Sequence, residues 1–310
     1  MPGFRLMSVL TTEGARASVV VDDRVFDAEE ITADPRYASI LGILDDWEHA
    51  EPRLRALASS RQLTGMRSQP IDKVKALTPV RYPTAIYCAG ANYMDHVANM
   101  AKSSGLPPPQ DPRVLGLKPW HFLKPSRCAV GDGDIVAKPS LKLDWEAELA
   151  AVIGRTCRNV SMEGALDYVA GYTVANDLSA RDLGPRNGLP DNSPFKYDWV
   201  AHKGFEHSCP VGPWITPASE IGDPQILGIK SWVNGSLKQD SNTNQMIFTT
   251  AEQIANLSSR ITLHPGDLVL TGTPAGVGAE RGEFLEVGDL VEVWIEKLGK
   301  LTTHIGPPSL

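Results

Sequence analysis

The sequence is poor in the features that would tie it to nucleic acid, a membrane or an oxidising compartment. Thirty Lys and Arg stand against thirty-seven Asp and Glu in 310 residues, a net charge of −7. With no Lys/Arg cluster, nothing is available to track phosphates, so nucleic acid and an anionic membrane surface are excluded as main partners. No run approaches the ~18 apolar residues of a membrane span, and the opening MPGFRLMSVLTTEG lacks the apolar stretch of a signal peptide. A cytoplasmic location is therefore expected. The four cysteines, Cys88, Cys128, Cys157 and Cys209, form no CxxC pair. This supports neither a thiolate metal site nor a disulfide framework, and buried reduced thiols are expected. Common catalytic signatures are missing too: there is no GxSxG elbow, no HExxH and no GxxxxGK[ST] phosphate loop. Gly276-Val277-Gly278 fails the dinucleotide fingerprint because Arg281 stands where the third glycine belongs.

What is present is an ordinary globular composition, 42% hydrophobic and 22% charged, able to bury a real core. Near the N-terminus, Val19-Val20-Val21 and Val25-Phe26 flank the polar turn Asp22-Asp23-Arg24, which predicts a hairpin. Tyr37, Ile40, Leu41, Leu44 and Trp47 follow at helical spacing, and Pro52 can open a second short helix. These make a small N-terminal domain, placed at residues 1–75, ahead of a larger domain at 76–310. The larger part reads as short strands divided by Gly, Pro, Asn and Asp. Ser161 is expected to cap a helix over Met162–Ala170, and Thr250 with Gln253 has capping-box spacing for a helix through Arg260. Asn234-Gly235 is a strong hairpin signal, and Val287-Gly288-Asp289 and Leu298-Gly299-Lys300 mark further turns.

One stretch raises a chemical question. KLDWEAELAAVIG, residues 142–154, reads as a buried strand from Trp145 to Ile153, yet carries Glu146 and Glu148 on one face with Cβ atoms roughly 7 Å apart. Two anions beside apolar neighbours are costly unless a cation sits between them. A strand over Tyr172–Asn176 ends at Asp177, which the strand, helix, strand order could bring close. Glu146, Glu148 and Asp177 offer oxygen donors only, a set suited to Mg²⁺, Mn²⁺ or Ca²⁺ rather than zinc. Taken alone, two glutamates on the exposed face of an edge strand would account for the same spacing.

Several separated motifs, in order, give the chain a resemblance to the fumarylacetoacetate hydrolase family. They are AGANYMDH (Ala89 to His96), FLKP (Phe122 to Pro125), DWEAELAAVIG, GYTVANDLSARD (Gly171 to Asp182) and HPGDLVLTGTPAGVG (His264 to Gly278). The resemblance implies an α+β, β-rich fold: a mixed β-sandwich or roll with a small N-terminal domain, commonly a homodimer. It also implies a divalent cation, Mg²⁺ or Mn²⁺, bound at Glu146, Glu148 and Asp177, and a small 2-oxo or diketo acid as substrate.

The resemblance further assigns His96 as general base, Lys203 as a catalytic cation on substrate oxygens, and Thr273 as a contact to the substrate carboxylate. His96 follows Asp95, a candidate cap for a helix from His96 to Ser104. The family often places a glutamate three residues after this histidine; here that position is Asn99, which cannot stabilise imidazolium by charge. Arg181 is a second candidate for the substrate carboxylate, with a structural salt bridge as the equal alternative. In the segment from Gly184 to Ala201, Phe195, Tyr197 and Trp199 either pack the loop onto the body or shape a pocket for a bulky substrate tail.

The main expectation is a metal-dependent hydrolase that cuts a carbon–carbon bond in a 2,4-diketo acid of acylpyruvate type, as in aromatic catabolism. Decarboxylation or tautomerisation of a 2-oxo acid is the alternative that Asn99 favours. A metal-retaining binding protein with little activity is the third.

Overall fold

The computed structural model describes residues 3–308 apart from 104, 108 and 191. Ser104, the expected end of the His96 helix, lies outside the described residues. Three sheets organise the chain. The largest has twelve strands, ten along one path, with Lys75–Leu77 and Ala129–Val130 pairing off it. Its path runs through Gln69–Pro70, Arg24–Asp27, Gly14–Val21, Arg5–Thr11, Cys209–Pro217, Val169–Asn176, Ala147–Ile153, Leu268–Leu270, Ile86–Ala89 and His121–Lys124. A five-stranded sheet of Ser236–Asn242, Gly228–Val233, Leu290–Ile295, Gly299–Gly306 and Asp134–Ala137 packs against it. A two-stranded ribbon joins Leu143–Asp144 to Ser179–Ala180. The result, among the described residues, is a mixed, sheet-rich α+β fold with few helices and no closed barrel.

The central strand Ala147–Ile153 is buried at every position. Period-two alternation sends Leu149, Ala151 and Ile153 into a core shared with Ile229, Val293 and Ile295 of the five-stranded sheet. Ala150 and Val152 face the other way, into a core that reaches Leu6, Val19 and Leu54 near the N-terminus. A strand with a core on each face accounts for the near-continuous run of apolar residues in AELAAVI. Truncating Leu149 to alanine would cost about 2–5 kcal/mol.

The N-terminal hairpin forms as expected, Gly14–Val21 pairing with Arg24–Asp27. Asp22 and Asp23 both take positive φ, 47° and 59°, as a type I′ turn requires. Asn234-Gly235 turns the same way between Gly228–Val233 and Ser236–Asn242. The strand Arg5–Thr11 pairs with Gly14–Val21 on one side and, at Leu6, with Ile215 of Cys209–Pro217 on the other.

Four expectations are corrected. Pro52 opens no helix; it lies inside a single helix, Trp47–Ser59. The helix expected over Met162–Ala170 is only a 3₁₀ turn, Ala165–Tyr168, and the next strand already begins at Val169. The Tyr168 carbonyl accepts from Gly154 N–H, drawing the chain into the sheet. The capping box of the Thr250–Arg260 helix is made by Thr249 and Glu252, one residue earlier than Thr250 and Gln253. Finally, the strand expected from Trp145 is broken: Leu143–Asp144 pairs with Ser179–Ala180, and the main ladder starts at Ala147.

Candidate active site

The register of two antiparallel strands builds the acidic centre. Ala147 opposes Asn176 and Glu148 opposes Ala175, so Asp177 emerges beside Glu146, and its N–H donates to the Glu146 carbonyl at 2.9 Å. Although Glu146 falls in the break before the ladder, it still turns inward, because Asn176 Oδ1 accepts from its N–H at 3.0 Å. One carboxylate oxygen from each of Glu146, Glu148 and Asp177 lies within 4.8 Å of the others, and all three residues are buried.

Glu148 is held on one side only. Oε2 accepts from Gly272 N–H at 2.7 Å, whereas Oε1 is buried without a partner among the described residues. Gly272 makes this approach with φ +95°, and a Cβ there would strike Asn92, so only glycine fits. Burial, with the like charges of Asp177 and Glu146, pushes the Glu148 carboxyl well above the ordinary range. An oxygen-only donor set, an orphaned buried oxygen and a carboxyl lacking its own counter-charge together fit a hard divalent cation.

Three cations meet the other two carboxylates. Lys203 Nζ donates to Glu146 Oε2 at 2.9 Å and Asp177 Oδ2 at 2.6 Å. Arg181 donates through Nε to Asp144 Oδ2 at 2.9 Å and through Nη2 to Glu146 Oε1 at 2.6 Å. Burial alone would raise the Glu146 carboxyl; Lys203 and Arg181 outweigh it and hold it far below its usual range. Lys124, whose side chain is fully buried, lies 2.8 Å from Asp177 Oδ1. The same ammonium donates to the carbonyls of Leu178, Lys203 and Ser208. FLKP thus supplies the peg that fixes Asp177 relative to the Lys203 backbone, a role its position in the sequence did not reveal.

His96 lies in the helix Met94–Ser103, which starts two residues before the expected position, so Asp95 is in its first turn rather than at its cap. His96 Nδ1 stands 2.5 Å from Glu280 Oε1. Glu280 Oε2 accepts from Gly276 N–H at 2.9 Å and from Asn99 Nδ2 at 3.2 Å. The acidic partner absent at position 99 is therefore present, supplied by the short helix Gly278–Arg281. Burial opposes ionisation of Glu280, but the bond from His96 prevails and lowers its carboxyl. The imidazole reaches the acidic centre electrically as well, since His96 is among the groups that lower Glu146.

Thr273 is buried in the same loop, and its hydroxyl accepts from Gln239 Nε2 at 2.8 Å. Gln239 also donates to the Pro274 carbonyl and accepts from Ala147 N–H, tying this loop to the start of the central strand. The structure brings Glu146, Glu148, Asp177, Lys203 and Arg181 into one cluster, with the His96–Glu280 pair and Thr273 on the segments that flank it. Sequence reasoning missed Glu280, Lys124 and Asp144. Glu280 lies two residues past the GTPAGVG motif, and its tie to residue 96 exists only in three dimensions.

A model of the C-terminal part of fumarylacetoacetate hydrolase matches residues 85–306. The mitochondrial oxaloacetate tautomerase of Xenopus laevis is 41% identical over 239 residues, 76% of this chain and 69% of that protein. Maleylpyruvate hydrolase from Sphingobium sp. SYK-6, solved with manganese(II) and pyruvate, superposes with a TM-score of 0.75 at 29% identity, covering 98% of this chain and all of that one. 2-Hydroxyhepta-2,4-diene-1,7-dioate isomerase from Mycobacterium marinum gives 0.69 at 28% identity, over 99% of this chain and all of that one. Among the described residues no helix is long and apolar enough to cross a membrane.

Proposed function

The chain belongs to the fumarylacetoacetate hydrolase family, and from that premise we propose that it is a divalent-metal-dependent hydrolase of acylpyruvates. Water and a 2,4-diketo acid, R–CO–CH₂–CO–COO⁻, become R–COO⁻, pyruvate and a proton. The bond between the distal carbonyl and the methylene carbon breaks. The observation that carries this reading is the His96–Glu280 pair beside a buried acidic triad.

Glu146, Glu148 and Asp177 would hold Mg²⁺ or Mn²⁺, which supplies Lewis-acid polarisation of the 2-oxo acid oxygens. A manganese ion with pyruvate in the maleylpyruvate hydrolase structure supports this choice of ion class. Glu280 accepts the Nδ1 proton of His96, which fixes the tautomer and leaves Nε2 free to take a proton from water. As the imidazole becomes cationic, the Glu280 carboxylate stabilises it by charge, as an amide could not. Lys203 spends two of its three N–H donors on Glu146 and Asp177, and the third serves oxyanion charge on the substrate. Thr273 contacts the substrate carboxylate. Arg181, gripped by Asp144 and Glu146, acts by orienting Glu146.

Tautomerisation of a 2-oxo diacid is the second reading, favoured by the 41% identity to an oxaloacetate tautomerase. The same His96–Glu280 pair would then move a proton on carbon instead of on water. Incubation with acylpyruvates and with oxaloacetate, products read by mass, separates the two: pyruvate plus a carboxylic acid supports hydrolysis, and keto–enol exchange without cleavage supports tautomerisation.

A further inference from the structure

A group of aromatic rings stands next to the site with no part in the chemistry above. Trp199 and Lys203 are the first and last residues of the helix Trp199–Lys203, which Asp198 caps by accepting from Ala201 N–H. Four residues apart, they share a helix face. Phe122 spans the two. Its ring stacks on Trp199 with centroids 5.3 Å apart and an interplanar angle of 21°, and lies 5.2 Å from Lys203 Nζ. Trp120 closes edge-on against Trp199 at 6.0 Å, and Tyr197 lies 4.6 Å from Trp199 on another side.

Two glycines make room for these rings. A Cβ on Gly90 would overlap the Trp120 indole, and one on Gly184 would meet the Tyr197 ring at 2.8 Å. Gly90 belongs to the loop that leads into the His96 helix. The rings therefore reach from the His96 side of the site to the Lys203 side. Tyr197 is tied back by its hydroxyl to His202 Nδ1. The segment carrying it is pinned at its base, where Asp198 N–H donates to the Gly184 carbonyl and Arg186 N–H to the Lys196 carbonyl.

Although Phe122 and His202 stack on Trp199, both tryptophans keep part of their surface accessible: Trp199 is 44% and Trp120 48% exposed. Among the described residues no cation other than Lys203 lies over any of these rings, and Lys203 is committed to Glu146 and Asp177. Arg186 and Lys196, on the same segment, are both engaged, Arg186 by Asp198 and Lys196 by the Leu189 carbonyl. A flat apolar group could stack here, whereas a second carboxylate would meet, among the described residues of this group, only cations already engaged, and would lose its hydration.

We propose that Trp199, Phe122 and Trp120 form the subsite for the substrate chain distal to the 2-oxo acid, and that this chain ends in an aryl or other planar unsaturated group, not in a second carboxylate. The inference rests on the acylpyruvate reading for the orientation of the substrate, with its acid end on the acidic centre.

The test uses the full chain with Mn²⁺ and three probes: benzoylpyruvate, acetylpyruvate and succinylpyruvate. kcat/KM for benzoylpyruvate should exceed both others by at least about tenfold, the effect of one stacked ring of ~1.4 kcal/mol. Trp199→Ala should reduce the benzoyl-to-acetyl ratio about tenfold, and Trp199→Phe should keep most of it. Trp120→Leu supplies a second variant should Trp199→Ala fold poorly. Calorimetric binding of the same probes gives the readout if no probe is cleaved: a tenfold preference for benzoylpyruvate that Trp199→Ala removes sustains the subsite even when the hydrolase reading fails. A ratio unchanged by both tryptophan variants, or a preference for succinylpyruvate, overturns it. So does a Trp199→Ala protein that changes oligomeric state with its probe preference intact, since a second copy of the chain would then be what covers the rings.

Discussion

His96 Nδ1 and Glu280 Oε1 lie 2.5 Å apart although 184 positions separate them in the chain. This contact reverses the argument from Asn99. The amide three residues after His96 does not replace the acid; it donates to that acid, from Asn99 Nδ2 to Glu280 Oε2. A histidine oriented and charge-compensated in this way is equipped to activate water, so the chemistry no longer has to avoid a strong base.

Glu280→Gln should lower kcat by about 10–100-fold with little change in KM, because orientation and charge support act on the proton transfer and not on substrate binding. Asn99→Ala, which leaves the His96–Glu280 bond in place, should cost far less. Steady-state kinetics on the two variants checks the order; equal losses would assign Glu280 no special part.

Metal binding should register as stability. Mn²⁺ at about 100 times its Kd should stabilise the wild-type protein by about 2.7 kcal/mol. Glu148→Gln should melt no lower than the wild type without metal, since Glu148 Oε1 has no partner to lose and the like charges around it oppose ionisation. The variant should gain little from Mn²⁺. Thermal melts with and without chelator test both statements.

Lys124→Met should destabilise the fold by about 3 kcal/mol, because it removes the charge beside Asp177 Oδ1, leaving Lys203 alone on that carboxylate, and takes a donor from the buried carbonyls of Leu178, Lys203 and Ser208. Urea unfolding of metal-free protein provides the comparison.

Burial first, then the positive charges of Lys203 and Arg181, hold His202 neutral down to about 3 in the folded state. An unfolded histidine takes its proton near 6.5, so between these values the unfolded chain binds more protons and stability falls as pH falls. From pH 7 to pH 5 this residue should account for a loss of about 1–2 kcal/mol. His202→Gln should show a correspondingly flatter dependence over the same interval in denaturant titrations.

Local pattern announced much of the fold and the carboxylates of the candidate site. Glu146 and Glu148 stood out because anions interrupt an apolar run, and Asn234-Gly235 because type I′ turns demand such residues. Elements that depend on competition were harder to read. Residues 162–170 carry helical spacing, yet the pairing of Val169–Asn176 with two strands favours the sheet. The capping box was misplaced by one position because Thr249 and Thr250 are adjacent and both have an acceptor hydroxyl. Glu280, Lys124 and Asp144 were out of reach for a different reason: each acts through residues more than thirty positions away, and no periodicity encodes such a contact. The aromatic loop was legible as a choice between packing and pocket, and the stacking of Phe122 on Trp199 bears on that choice through its contact with Lys203.

Whether the His96–Glu280 pair acts on water or on carbon decides between hydrolysis and tautomerisation. Proton NMR of acylpyruvates from acetylpyruvate to benzoylpyruvate, incubated with the Mg²⁺-loaded protein, follows both outcomes in one sample. Equimolar appearance of pyruvate and the matching carboxylic acid, abolished by His96→Ala and strongly slowed by Glu280→Gln, is the predicted result. Relaxation between enol and keto signals with no pyruvate formed from any member of the series would contradict it.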